Sequence, residues 1–208
     1  MTYEGNTTVR RQNLKDALVA AAERAIASQG LEGLKARALA AEAGCAVGAI
    51  YNAVADLDEL VFAVNARTLA ALESLLTAAG RPAARSSEDA TGQIVRLALV
   101  YLEFAAENPL RWRALFDHHP PAGREIPEWY IADQHRLFSY IEESLAALQP
   151  AASAEQRGRL ARSLFSAVHG MVALGLEEKL QLIPLPVLRE QVTLVVHAIG
   201  KGLSQSAT

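Results

Sequence analysis

From Ser153 onward, apolar side chains return at helical intervals: Leu160, Leu164, Val168, Met171, Val172, Leu176 and Leu180. After Pro184 and Pro186 comes a second stripe, made of Leu188, Val192, Val195, Ile199 and Leu203. Residues three, four and seven apart share one face of an α-helix, so each stretch predicts a helix with one continuous apolar side. Runs of alternating β-branched residues, the mark of a half-buried strand, are missing from the chain. The 208 residues are therefore expected to form an all-α fold.

The same periodicity predicts the earlier elements. A first helix spans 9–29, with Leu14, Leu18, Ala21, Ala22, Ala25 and Ile26 on one face and Gly30 at its C-cap. Two short helices come next, one over 35–43, stopped by Gly44, and one over 47–54. Asp56-x-x-Glu59 is a capping-box-like start for a fourth helix that reaches about Ala79. Gly80-Arg81-Pro82 breaks the pattern, and Ser86-Ser87 caps a helix carrying Ile94, Leu97, Val100, Tyr101 and Phe104. Asn108-Pro109 restarts the chain into a short aromatic helix, PLRWRALF, and the proline-rich HHPPAGREIP reads as a loop. A helix over 128–148 comes after the loop, and Ser153-x-x-Gln156 is a capping box for the one after it.

Within this series Ala40, Gly44 and Ile50 carry a specific geometry. Two helices crossing steeply over a short turn need a small residue at the crossing, a residue tolerant of positive φ at the turn, and an apolar pin on the second helix. Those three positions supply them, with Leu39, Cys45 and either Val47 or Val54 filling the core. This is helix–turn–helix spacing. It predicts a three-helix head, residues 1–54, joined by the long fourth helix to a larger helical body, residues 55–208.

The segment IASQGLEGLKARALAAEAGCAVGAIYNAVADLDEL resembles the N-terminal pattern of the TetR (tetracycline-repressor) family of bacterial transcriptional regulators. It keeps Gly30, Leu39, Ala40, Ala43, Gly44, Gly48, Tyr51 and Leu60, over roughly residues 10–65. FAAENPLRWRALF and FSAVHGMV are similar to segments of one C-terminal class in that family, the Trp-His-Gly type, with Phe165 where Trp is usual. Three positions depart from the pattern: Ala53 replaces His or Tyr, Val54 replaces Phe, and Leu57 replaces Lys.

The resemblance implies a homodimer that reads a double-stranded, palindromic operator and releases it when a small, largely apolar effector enters the body. Net charge is −3, so any DNA contact has to come from a local arrangement of cations. Residues 1–66 hold six Lys and Arg against eight Asp and Glu, a net of −2, which weakens counterion release. The expected DNA-binding residues are Arg10, Arg11, Lys35 and Arg37 at helix starts, where free N–H groups favour phosphate. Ala46, Val47, Gly48, Ala49, Tyr51 and Asn52 complete the set. Asn52 suits adenine, and Ala46 or Ala49 suits a thymine methyl. Residues 1–9 are expected to form an arm. Tyr51 either anchors a phosphate or caps the head's core, and Cys45 reads as a small core residue.

In the body, apolar walls with a few polar groups suit a small ligand. Tyr101, Phe104, Trp112, Phe116, Trp129, Phe138 and His169 are the pocket candidates. Leu164, Val168, Met171, Val172, Leu188, Val192, Val195 and Ile199 are the dimer-interface candidates, because the two final helices pair with their copies in the family; packing within one chain is the alternative.

A single cysteine builds neither an internal disulfide framework nor a cysteine-rich zinc site. The first residues show no signal-peptide pattern and no run approaches the ~20 apolar residues that span a bilayer, so a cytoplasmic protein with no membrane partner is expected. Asp117-His118-His119 with Glu125 is the one metal-like cluster, but adjacent histidines in a proline-rich loop rarely converge on one ion. No Gly-rich phosphate loop or nucleophile elbow is present, and neither an enzyme nor a cofactor is expected. A remote alternative is a metal-dependent helical enzyme. A nearer one is a ligand-binding dimer with a vestigial head.

Overall fold

The computed structural model describes residues 3–80, 86–177 and 183–205. Among them there is no strand, and the fold is all-α. In chain order the helices are α1 (Tyr3–Gln29), α2 (Ala36–Glu42), α3 (Val47–Ala53), α4 (Leu57–Ala78) and α5 (Ser87–Glu107). They continue with α6 (Pro109–Asp117), α7 (Glu128–Leu148), α8 (Ala154–Gly175) and α9 (Leu185–Gln205). A 3-10 turn, Gly30–Gly33, comes directly after α1. Leu180, the last member of the predicted α8 stripe, and Arg81 and Pro82 lie outside the described residues.

Local chemistry accounts for most boundaries. Gly30 and Gly44 adopt φ of +66° and +67°, which end α1 and α2 without a Cβ clash. The Ser153 hydroxyl accepts from Gln156 N at 3.2 Å while Ser153 N donates to the Gln156 side chain at 2.7 Å, a complete capping box. Ser86 Oγ accepts from Asp89 N at 3.1 Å ahead of α5. One end differs from expectation. Helix α1 starts at Tyr3 instead of Val9, so most of the expected N-terminal arm is helical. Once nucleated, a helix propagates through polar residues that the apolar stripe cannot mark.

Helix α4 is, by length and composition, apolar enough to cross a membrane, but it is not an uninterrupted apolar run. Its apolarity has a local use. Leu60, Val61, Phe62, Val64, Leu69, Leu72 and Leu76 are buried, and Asn65, Arg67 and Glu73 interrupt the run.

The contacts divide the chain into two compact units. Unit 1 comprises Met1–Ala70 with Asn108–Tyr130, and unit 2 comprises Ala71–Glu107 with Ile131–Thr208. Neither coincides with a division after residue 54, because unit 1 includes the start of α4 and all of α6. Its core gathers Leu18, Ala22, Ile26, Leu39, Ala40, Ile50, Ala53, Val54, Leu60 and Val64 with Ala114 of α6. The Asn65 carboxamide, almost fully buried, donates to Ala114 O at 3.1 Å and ties α4 to α6.

In unit 2, α9 packs along α5 and α8. Leu102, Leu145, Leu148, Ala161, Val172, Leu188, Val192 and Val196 form its interior. Two glycines set the close approaches. Gly175 faces the Leu188 side chain, and Gly200 faces Thr91 on α5 so closely that an added Cβ would sit 2.5 Å from its hydroxyl oxygen.

Candidate nucleic-acid interface

Helix α3 presents one face to solvent and the other to the core. Ile50 and Ala53 are its buried residues, and Val54 just beyond it is also buried. Ala46, Val47, Gly48, Tyr51 and Asn52 are exposed, and Ala49 is half-buried. Tyr51 is 54% exposed, so it does not cap the core. Of the two valines, Val54 fills the core and Val47 faces outward. Cys45 is half-buried at the turn and donates its N–H to Ala40 O at 2.9 Å. Leu57, where a family lysine was expected, packs partly buried against the head's core.

The charges of unit 1 are sorted. With Asn108–Tyr130 included, the unit holds ten Lys and Arg against eleven Asp and Glu. Five of these carboxylates are engaged locally. Glu23 is bonded by Arg67 at 2.9 Å and Arg111 at 3.0 Å, and Glu42 by Arg24 at 2.5 Å. Glu59 takes Lys15 at 2.5 Å, Asp58 takes His118 at 2.7 Å, and Asp56 takes Arg124. Arg10, Arg11, Lys35 and Arg37 are exposed and have no carboxylate partner among the described residues. These are the four cations expected to meet phosphate.

Three acids crowd the start of α4. Asp56 Oδ1 caps it by accepting from Glu59 N at 2.8 Å, and Glu59 reaches back to accept from Ala55 N at 2.7 Å. Burial by itself would raise the pKa of Glu59. The bonds from Lys15 and the Ala55 N–H, with the charges of Lys15 and Arg124, outweigh it and hold the pKa below the ordinary value. His118 lies edge-on against Phe62, with ring centres 5.1 Å apart. His119 instead bonds the Asp117 carbonyl at 2.8 Å, so the two adjacent histidines point to different partners.

In unit 2, Tyr101 (α5), Phe138 (α7) and His169 (α8) gather around Phe165. Phe165 meets Tyr101 and Phe138 edge-on, both at 5.4 Å, and stacks on His169 at 5.6 Å. The hydroxyl of Tyr101 lies 2.7 Å from His169 Nδ1, and Arg162 stands 5.6 Å over the Phe138 ring. Phe104 is buried in the same unit. The other three pocket candidates do not belong to this unit. Trp112 and Phe116 pair edge-on at 5.6 Å within unit 1, and Trp129 packs on Tyr130. Phe165 is the residue that sequence reasoning did not name as a candidate. Its position at the Trp of the resembled signature was the available signal.

Burial lowers the pKa of His169 from its ordinary 6.5. The unfolded chain therefore takes up a proton before the folded one as pH falls, and stability declines below about pH 6.5. The melting temperature is expected to drop further between about pH 7 and about pH 5 in the wild type than in His169→Gln, which keeps an acceptor for Tyr101 but does not titrate. Equal drops in both proteins would show that His169 does not contribute.

Of the dimer candidates, Leu164, Val168, Val172, Leu188 and Val192 are buried inside unit 2. Met171, Val195 and Ile199 are half-buried. The outer faces of α8 and α9 carry other side chains: Ala167 and Leu174 on the first, Val187, Leu194 and Ala198 on the second. Leu174 is 61% exposed and Leu194 62%.

Comparison with known proteins gives a consistent result. The chain shares 24% identity and a TM-score of 0.70 with a protein of unknown function from Rhodococcus sp. RHA1, over 92% of this chain and 95% of that one. With a TetR-like transcriptional regulator from the same organism it shares 19% identity and a TM-score of 0.55, over 93% of this chain and 96% of that one. None of the curated proteins matches it. Residues 94–199 match the family described as tetracyclin repressor-like, C-terminal domain. Because that match covers half of the chain, the protein belongs to the tetracycline repressor-like family.

Proposed function

We propose that the protein is a ligand-responsive transcriptional repressor, cytoplasmic and non-enzymatic, with a body of the Trp-His-Gly type. It binds a palindromic operator as a homodimer and releases it when a small, largely apolar effector enters unit 2. One observation carries the DNA part. Arg10, Arg11, Lys35 and Arg37 have no carboxylate partner among the described residues, while five of the unit's eleven acids are engaged by other side chains. Counterion release depends on cations free to meet phosphate, so whole-unit charge is the wrong measure of it. Exposed Tyr51 and Asn52 supply the reading vocabulary of α3, with Ala46 and Ala49 for methyl contacts.

The dimer part is supported by the outer faces of the last two helices. Ser163, Ala167, Gly170 and Leu174 on α8 repeat at the same intervals as Val187, Gln191, Leu194 and Ala198 on α9. None of the eight is charged, which suits a second copy packed in two-fold symmetry. The Phe165 cluster supports an effector site, with the Tyr101–His169 pair as its polar group.

The test is fluorescence anisotropy on duplexes that the protein selects from a random-sequence pool, at two salt concentrations. Lys35→Ala is expected to weaken binding on all sequences alike and lower the salt slope by about one per head. Tyr51→Ala is expected to cost about tenfold or more through a lost phosphate contact. A wild type that selects nothing from the pool would favour the ligand-binding dimer with a vestigial head.

A further inference from the structure

The recognition helix is weakly anchored for an element that has to hold a register. It has seven residues, two of them buried, one being alanine, and Ala46 gives its first turn no side-chain cap. Beyond its C-terminal end lies the Ala55–Asp56 turn, whose backbone is held by side chains. Ala55 N donates to Glu59, and Asp56 caps Glu59 N. The holders are themselves held by residues distant in sequence. Lys15 of α1 grips Glu59, and the segment after α6 supplies Arg124 to Asp56 and His118 to Asp58. His118 is wedged against Phe62 with its side chain 9% exposed.

We propose that residues 118–124 form a strap and that His118 and Arg124 are positioning residues for DNA reading. They fix the α3–α4 turn through Asp58 and Asp56, and so fix the angle at which α3 meets a groove. Charge-assisted bonds are the strong, directional kind, and two from one loop to neighbouring sites on a turn limit both its translation and its rotation. Neither residue is close in sequence to α3. The proposal rests on the DNA-reading function above.

The experiment compares the full-length protein with His118→Gln/Arg124→Gln and with Arg124→Lys. Three quantities are read: amide hydrogen exchange over residues 51–59, affinity for duplexes selected by the wild type from a random pool, and thermal melting. The double variant is expected to exchange faster in that segment and to bind about tenfold more weakly, with melting little changed. Arg124→Lys, which retains the charge, should bind like the wild type. Unchanged exchange overturns the strap, and so does faster exchange with undiminished affinity. A melting loss that accounts for the whole affinity change, or Arg124→Lys binding as weakly as the double variant, reduces both residues to a structural role. A wild type that selects no duplex overturns the DNA reading itself, and that outcome is recognisable because the exchange difference would still appear.

Discussion

Alanine at position 200 is expected to destabilise the protein by about 2 kcal/mol, read as a lowered denaturation midpoint with an unchanged slope. An added Cβ would lie 2.5 Å from Thr91 Oγ1 and 2.6 Å from its Cγ2, both closer than real contacts allow. Thr91 is buried and β-branched, so it cannot swing out of the way, and α9 would have to move off α5. The helices concerned form the centre of unit 2, and Leu188, Val192 and Val196 would lose packing with them. Thr91→Ala removes the two nearest atoms. Combined with Gly200→Ala it is expected to regain more than half of the loss, a coupling that a double-mutant cycle reads directly. If Gly200→Ala melts like the wild type, the close approach is not as tight as described.

Leu194→Arg is the second large effect. Leu194 is 62% exposed on α9, so the substitution leaves the fold of the isolated chain intact. A dimer that buries this face would have to desolvate a guanidinium opposite its own symmetry copy, and it would come apart. Sedimentation should report a folded monomer, melting somewhat below the wild-type dimer because it loses the stabilisation that association supplies. Operator binding should fall by about a hundredfold or more, because linking two heads makes the second contact intramolecular. A variant that remains dimeric would place the two-fold axis elsewhere. Leu164→Ala tests the same proposal from the buried face. It should lower stability as a core truncation and leave the association state unchanged.

The contrast between Leu194 and Leu164 shows what sequence pattern conveys. Apolar periodicity finds the stronger stripe of a helix, and on α8 and α9 that stripe faces inward; the outward one is diluted with serine, alanine and glycine and gives only a weak pattern. The turns were legible because they depend on local chemistry. Gly30, Gly44 and the Ser153–Gln156 box stand where their backbone demands place them. The face of α3 followed from Ile50 alone. The partners of charges were not legible, since Arg124 and Asp56 lie 68 residues apart and nothing in composition says they meet. Counting acids in the head therefore overstated its hostility to phosphate. The split of the pocket candidates, three in unit 1 and four in unit 2, is long-range packing of the same kind.

The presence of α6 in the core of unit 1 bears on engineering. Ala114 packs among head residues, and Asn65 is hydrogen-bonded to its carbonyl. A DNA-reading fragment cut after residue 54 or 70 would expose that surface, and the longer one would leave a buried amide without its acceptor. Such a fragment should behave as a poorly folded peptide and not as a portable module. Domain-swap chimeras that aim to change operator choice would have to carry residues 108–130 along with the head, although almost forty residues of the other unit separate the two pieces in the chain. Recombination at a single junction would therefore divide unit 1.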